Sequence, residues 1–173
     1  AGLLRVIVVD DGSTDATPTL LAGIRDPRLE VIRLETRNGK PAALNAAVSA
    51  SAAPVLVFMD QRQQVRPGGI RALVRRLRDP DVGAVSGRLE FEGEHRNGVG
   101  IYWRYELALR RAEGELGILT GVTGALYAVR RSLWRTLPQD ALVDDVSVAL
   151  HARAAGFRVV FEDEAVACDR AAD

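Results

Sequence analysis

With 173 residues, 47% of them hydrophobic, the chain can bury one substantial core, which predicts a single domain over 1–173. Lys plus Arg and Asp plus Glu both number 23, so no basic excess exists to draw nucleic acid or anionic lipid. One cysteine, Cys168, excludes an internal disulfide framework and fits a reducing compartment, and no run reaches the ~20 apolar residues of a membrane helix.

The first predicted strand, near 4–9, carries Val6-Ile7-Val8-Val9 and runs into Asp10-Asp11-Gly12-Ser13. A helix near 15–25 follows, with Thr14 or Asp15 to cap it, then a strand near 29–34. Gly39 and Pro41 open a helix near 40–52, and Lys40 between them is the only lysine of the chain. The strand Val55-Leu56-Val57-Phe58-Met59 ends on Asp60. Pro67 suits the first turn of a helix near 68–78, and a strand near 83–89 follows. Beyond it come a helix near 101–113, a glycine-rich loop from Gly114 to Gly124, a strand near 125–130 and helices near 131–136 and 144–155. Two last strands are expected near 157–161 and 165–168.

Continuous Val-rich runs bounded by turn signals read as strands buried on both faces, and their alternation with helices predicts βαβ crossovers. Ligands of such sheets sit outside the carboxyl ends of the strands. Asp10, Asp11 and Asp60 are therefore expected on one rim, and three carboxylates there suit a metal ion or a polyol. The chain opens almost on a buried strand and stops just after the apolar run Ala165–Cys168, so a fragment truncated at both ends is expected.

Several sites place an acidic pair at a strand end. A receiver domain would fit Asp10, Asp11 and Asp60, but it needs a late lysine, and none follows Lys40. A haloacid-dehalogenase-type phosphatase needs two aspartates with one residue between them, whereas Gly12 occupies the second position after Asp10. A P-loop is broken by Leu34 and Pro41, and no Gly-x-Gly-x-x-Gly follows a strand. His95 and His151 have no second histidine at ligand spacing, which argues against zinc.

Five segments in order carry a resemblance over nearly the whole chain. They are Val8–Asp15, Asn38-Gly39-Lys40-Pro41-Ala42-Ala43-Leu44-Asn45, Val57-Phe58-Met59-Asp60, Gly124–Arg131 and Leu142-Val143-Asp144-Asp145. Together they resemble family-2 glycosyltransferases with the GT-A fold, a mostly parallel sheet flanked by helices. The resemblance implies inverting transfer of a sugar, UDP-linked by expectation, from a nucleotide-diphosphate donor to an acceptor hydroxyl. The setting it implies is bacterial polysaccharide or glycolipid synthesis. The expected partners are the nucleotide-sugar donor and a saccharide or lipid-linked acceptor, with no nucleic acid. A location in the cytoplasm or on the cytoplasmic face of a membrane is implied, with membrane contact only through parts absent from this chain.

Residue by residue, the resemblance assigns Asp10 or Asp11 to uracil or ribose donors and Lys40 to the base and phosphates. Asp60 corresponds to the Asp-x-Asp motif, where a divalent cation, Mg²⁺ or Mn²⁺, bridges carboxylate and diphosphate. Here the motif reads Asp60-Gln61-Arg62-Gln63 and resembles the Asp-x-Arg-Gln variant of membrane-associated bacterial members. Arg62 is then expected at the diphosphate. Asp145 is the expected general base, with Asp144 beside it to raise its proton affinity. Asp15 and Asn45 read as structural. Tyr102, Trp103 and Tyr105 are candidates to stack on an acceptor sugar, and Gly114–Gly124 is a candidate flap. A nucleotide-binding domain without catalysis and a receiver-like signalling domain are the alternatives.

Overall fold

A computed structural model describes residues 5–92, 99–141 and 143–170. His95 lies outside them, as does Leu142 of the acidic motif. The chain gathers into two compact units, one within Ala1–Ala52 and Thr136–Leu142, the other within Ala53–Arg135 and Val143–Asp173.

In the first unit, β1 (Val6–Asp11) and β2 (Leu29–Leu34) pair in parallel, Val6 opposite Leu29 and Asp11 opposite Leu34. Helix α1 (Thr17–Gly23) makes the crossover and α2 (Lys40–Ser49) follows β2. Pro at the first turn of each helix supplies a pre-set φ where no intrahelical N–H partner exists. The cap of α1 is Ala16, with no side-chain cap bond, instead of the expected Thr14 or Asp15. Asp15, one position ahead, accepts from the Thr17 N–H at 2.9 Å, and hydrogen bonding from the Thr17 side chain and then its backbone lowers the Asp15 pKa. Asn45 is equally structural. Its amide donates to the Leu137 carbonyl at 2.9 Å and accepts from the Leu137 N–H at 3.0 Å, a two-way clamp on the returning segment.

The second unit is built on a five-stranded sheet in the order β3–β6–β5–β7–β4. Its strands are β3 (Val55–Met59), β4 (Gln64–Val65), β5 (Val82–Glu92), β6 (Leu126–Arg130) and β7 (Arg158–Arg170). β5 and β7 are parallel, whereas β6 runs antiparallel to both its neighbours and β4 antiparallel to β7. Helices α3 (Gly69–Arg76), α4 (Val99–Leu116) and α5 (Asp144–Ala154) complete it. Leu73, Val85, Leu126 and Val160, nearly or wholly shielded, centre a core that Ala72, Ala128, Ala165 and Ala167 fill closely. Small residues at these points let α3 and the strands approach, and the removal of apolar area from water drives the packing.

Three expectations are revised. The strands expected near 157–161 and 165–168 are one strand, β7, whose pairing with β5 shifts register between Phe161, opposite Ser86, and Val166, opposite Arg88. Glu162, Asp163 and Glu164 sit in that bulge with arginine partners at Arg75, Arg76, Arg88 and Arg111. The helix expected near 131–136 is a single 3₁₀ turn, Arg131–Leu133, ended by extended Trp134. The glycine-rich segment is not a free flap. Gly114 lies inside α4 where a Cβ would stand 2.5 Å from that of Phe161, and Leu119 and Val122 are buried.

Arg130, within the Gly124–Arg131 segment, is explained by packing. Its guanidinium donates to the carbonyls of Leu77, Asp79 and Val82 at 2.7–2.9 Å, closing the C-terminal end of α3, which leaves carbonyls without intrahelical donors. Arg130→Ala is expected to lower the unfolding free energy by about 2 kcal/mol in a denaturant titration. Arg130→Lys should recover only part, since one ammonium cannot reproduce the fork.

Candidate active site

β1 delivers its two aspartates to different tasks. Asp10 is buried and its Oδ1 accepts the Ser13 N–H at 2.9 Å, closing the turn, while Arg33 Nε lies 3.7 Å from Oδ2. Hydrogen bonding from Ser13, through its side chain first and then its backbone N–H, lowers the pKa of this carboxyl more than the arginine does. Asp11 is partly exposed, and its two oxygens accept from the N–H groups of Asn38 at 2.8 Å and Gly39 at 2.7 Å. Lys40 follows directly as the first residue of α2, with its side chain exposed. Asp11 and the segment leading into Lys40, 29 positions on, thus meet at the carboxyl end of the β1–β2 pair.

Two glycines make this meeting possible. Gly12 has φ +69° and Gly39 φ +86°, the left-handed region that side chains with a Cβ avoid. A Cβ on Gly12 would also stand 2.8 Å from the backbone of Thr36 and Arg37. Gly12→Ala is therefore expected to cost about 3 kcal/mol, the left-handed penalty plus displacement of the 36–39 loop. Denaturant unfolding measures it directly, and a loss below a third of that would mean the loop yields freely.

The second unit gathers the other predicted carboxylates. Asp60 ends β3, and its N–H donates to the Ala125 carbonyl at 3.4 Å, just ahead of β6. Asp144 and Asp145 open α5, with Asp144 buried and Asp145 partly exposed. Asp145 Oδ1 accepts the Val146 N–H at 2.9 Å, and its carbonyl accepts the Val122 N–H at 3.5 Å. Both roles foreseen for this pair at a helix start are compatible with that placement.

Tyr127 of β6 is buried in the same unit. It faces Phe58 across the β3–β6 ladder, and the Phe58 ring stacks on Tyr127 at 4.8 Å and on Trp134 at 4.9 Å. The Tyr127 side chain is 1% exposed, and its hydroxyl has no hydrogen-bond partner among the described residues. Burial, then the negative charges of Asp144, Asp145 and Asp60, push its pKa well up. A phenol so placed stays protonated and can only donate toward that acidic cluster. Asp60 and Asp145 are thus both anchored by backbone bonds to residues 122–125, just ahead of β6, which nothing in the sequence spacing of 60 and 145 required.

Sequence reasoning missed the buried Tyr127, and it missed Gln63 and Asp169. Arg62, 73% exposed at its side chain, makes an ion pair from Nε to Asp169 Oδ2 at 3.1 Å. The buried Gln63 donates to that same oxygen at 3.0 Å. A lone acid near the end of an apolar strand gives no sequence signal for such pairing. Tyr105 is exposed on α4. His151 sits on the last turn of α5, and Cys168 is a buried free thiol as expected.

No group of three or more His, Cys, Asp or Glu among the described residues could enclose a metal. The donor set fits a hard cation that takes one or two protein carboxylates and completes its shell with phosphate oxygens and water. Among the described residues no helix is long and apolar enough to cross a membrane.

Comparison with known proteins identifies the family. The family profile described as Glycosyl transferase family 2 matches residues 1–163. The chain is 40% identical over 73 residues to the succinoglycan biosynthesis protein ExoO of Rhizobium meliloti (strain 1021), covering 42% of this chain and 21% of that protein. It is 30% identical over 186 residues to an N-acetylglucosaminyltransferase of Neorhizobium galegae, covering 96% of this chain and 43% of that one. Among solved structures, the mannosyltransferase PcManGT from Pyrobaculum calidifontis, in complex with GDP-Man and Mn²⁺, superposes with a TM-score of 0.82 at 28% identity. That match covers 96% of this chain and 47% of the other. The chain spans less than half the length of these three proteins. Matched along nearly all its length and sharing the GT-A architecture, this chain belongs to glycosyl transferase family 2.

Proposed function

We propose that this chain carries the catalytic machinery for inverting transfer of a sugar from a nucleotide-diphosphate donor to a saccharide or lipid-linked acceptor hydroxyl. The observation that carries the reading is that Asp60 and Asp145 are both tied to the short segment leading into β6, Asp60 through its N–H to the Ala125 carbonyl and Asp145 through its carbonyl to the Val122 N–H. An inverting displacement needs a base that takes the proton of the acceptor hydroxyl and, separately, positive charge that offsets the departing diphosphate. The family membership and the relatives named for succinoglycan biosynthesis and N-acetylglucosamine transfer support a bacterial polysaccharide or glycolipid setting. They make UDP-N-acetylglucosamine the first donor to test, at the cytoplasmic side where nucleotide sugars are held.

Each residue then has a chemical part. Asp11 retains lone pairs beyond its two backbone bonds and is partly exposed, so it suits a uracil or ribose N–H or O–H. Asp10, buried and committed to its turn, supports Asp11. Lys40 contributes an ammonium to the phosphates. Asp60 would hold a divalent cation, Mg²⁺ or Mn²⁺, which when bound offsets the charge of the departing diphosphate. Arg62 adds a guanidinium to that side. Asp145 takes the proton of the acceptor hydroxyl as its oxygen attacks the anomeric carbon.

Calorimetric titration of the chain with UDP, in the presence of Mn²⁺ and then of EDTA, tests the binding half. Metal-dependent binding is expected. UDP-N-acetylglucosamine hydrolysis by the intact protein separates an enzyme from a domain that only binds nucleotide. Labelling by acetyl phosphate in place of UDP binding would instead indicate a receiver.

A further inference from the structure

The substitution of Arg62 into the acidic motif raises a physical problem that the fold answers. An exposed arginine on a loop is a mobile cation, and each such side chain that must be ordered on binding weakens the complex. Here the loop is fastened at its base. The Gln63 N–H donates to the Asp60 carbonyl at 3.2 Å, closing a turn that holds Asp60 and Arg62 together. β4 then pairs with β7, Gln64 opposite Cys168 and Val65 opposite Ala167. One step further along that register sets Gln63 against Asp169. Asp169 is 5% exposed, and a charge so shielded must be matched by a counter-ion. Its Oδ2 takes both the Gln63 amide, at 3.0 Å, and Arg62 Nε, at 3.1 Å. The pair engages the side edge of the guanidinium, while the side chain as a whole stays 73% exposed. A guanidinium held by Nε presents its terminal nitrogens as a fork, the geometry that grips two phosphate oxygens at once.

We infer that Asp169 is a positioning residue, which holds Arg62 by its Nε edge so that the terminal edge is set in advance for the donor diphosphate. The inference rests on the reading of Asp60 and Arg62 as the diphosphate side. It deepens that reading by making the last strand part of the motif, since the arginine at 62 works with a carboxylate 107 positions away. Gln63 serves the same end by fixing the carboxylate that fixes the arginine.

A purely electrostatic role for Asp169 has the opposite sign. If it only offset the Arg62 charge, removing it would tighten a diphosphate. Water screens that repulsion at an exposed guanidinium, so the loss of positioning should prevail. The test is the affinity of the full chain for UDP and for uridine in wild type, Asp169→Asn, Arg62→Ala and the double variant, with folding checked by circular dichroism. Asp169→Asn is expected to weaken UDP roughly fivefold and to leave uridine unchanged. In the Arg62→Ala background it should have no further effect. Asp169→Glu, which keeps a negative partner for Arg62, should give a smaller loss and serves if the asparagine variant does not fold. UDP affinity that rises, stays level or falls equally without Arg62 overturns the inference. If Arg62→Ala itself leaves UDP affinity intact, the assignment of Arg62 to the diphosphate fails first, and the positioning role with it.

Discussion

Asp145→Asn is expected to lower sugar transfer by about a thousandfold while leaving UDP affinity within twofold, a general base of this kind supplying on the order of 10²–10⁴ in rate. The substitution is nearly isosteric. The asparagine Oδ1 can still accept the Val146 N–H that Asp145 accepts at 2.9 Å, and the backbone bond to Val122 is untouched. The start of α5 should therefore keep its geometry, so that the loss falls on proton transfer. Asp144→Asn should be milder in rate, because Asp144 is buried beside Tyr127 rather than presented to an acceptor. An effect on kcat with KM for the donor unchanged marks an interaction made only in the transition state. Steady-state kinetics of the intact protein with a UDP-sugar and a saccharide acceptor measure both. An Asp145→Asn enzyme within tenfold of wild type would remove this residue from the chemistry.

Asp60→Asn is expected to weaken UDP at least tenfold in the presence of Mn²⁺ and to bring the affinity close to that measured in EDTA. The backbone contacts of residue 60 to Ala125 and Gln63 do not involve the carboxylate, so the turn survives. A neutral amide keeps the shape but loses the anionic oxygen on which hard cations depend. With no cluster of three such ligands among the described residues, no neighbouring carboxylate can substitute fully. Titration calorimetry at fixed Mn²⁺ decides the point. Equal affinities of variant and wild type would place the cation, or the nucleotide, elsewhere.

Much of this arrangement was legible in the sequence because it rests on local signals. The Val-rich runs at 6–9 and 55–59 become β1 and β3, their terminal aspartates fall at the strand ends, and Gly12 and Gly39 take the left-handed conformations that Asp-Gly and Asn-Gly suggest. The family motifs added the roles. What was not legible depends on partners distant in the chain. The direction of β6 is set by which strands flank it, and periodicity is the same for parallel and antiparallel ladders. β4 has two residues, too few for any period. The three acids that interrupt the apolar pattern of β7 mark a bulge in its pairing with β5, and the arginines on α3, β5 and α4 that meet them give no signal in the local sequence. Asp169 and Gln63 escaped notice for the same reason, as each acquires meaning from the other across 106 residues.

The central claim, a single displacement in which Asp145 activates the acceptor while Asp60 and Arg62 face the donor diphosphate, fixes the stereochemistry of the product. Proton NMR of the anomeric signal, recorded early in the reaction of the intact protein with UDP-N-acetylglucosamine and a saccharide acceptor, reads it directly. The account predicts a β-linked product from the α-linked donor, formed only when the Asp145 carboxylate is present. An α-linked product, or a β-linked one formed at the wild-type rate by Asp145→Asn, would contradict it.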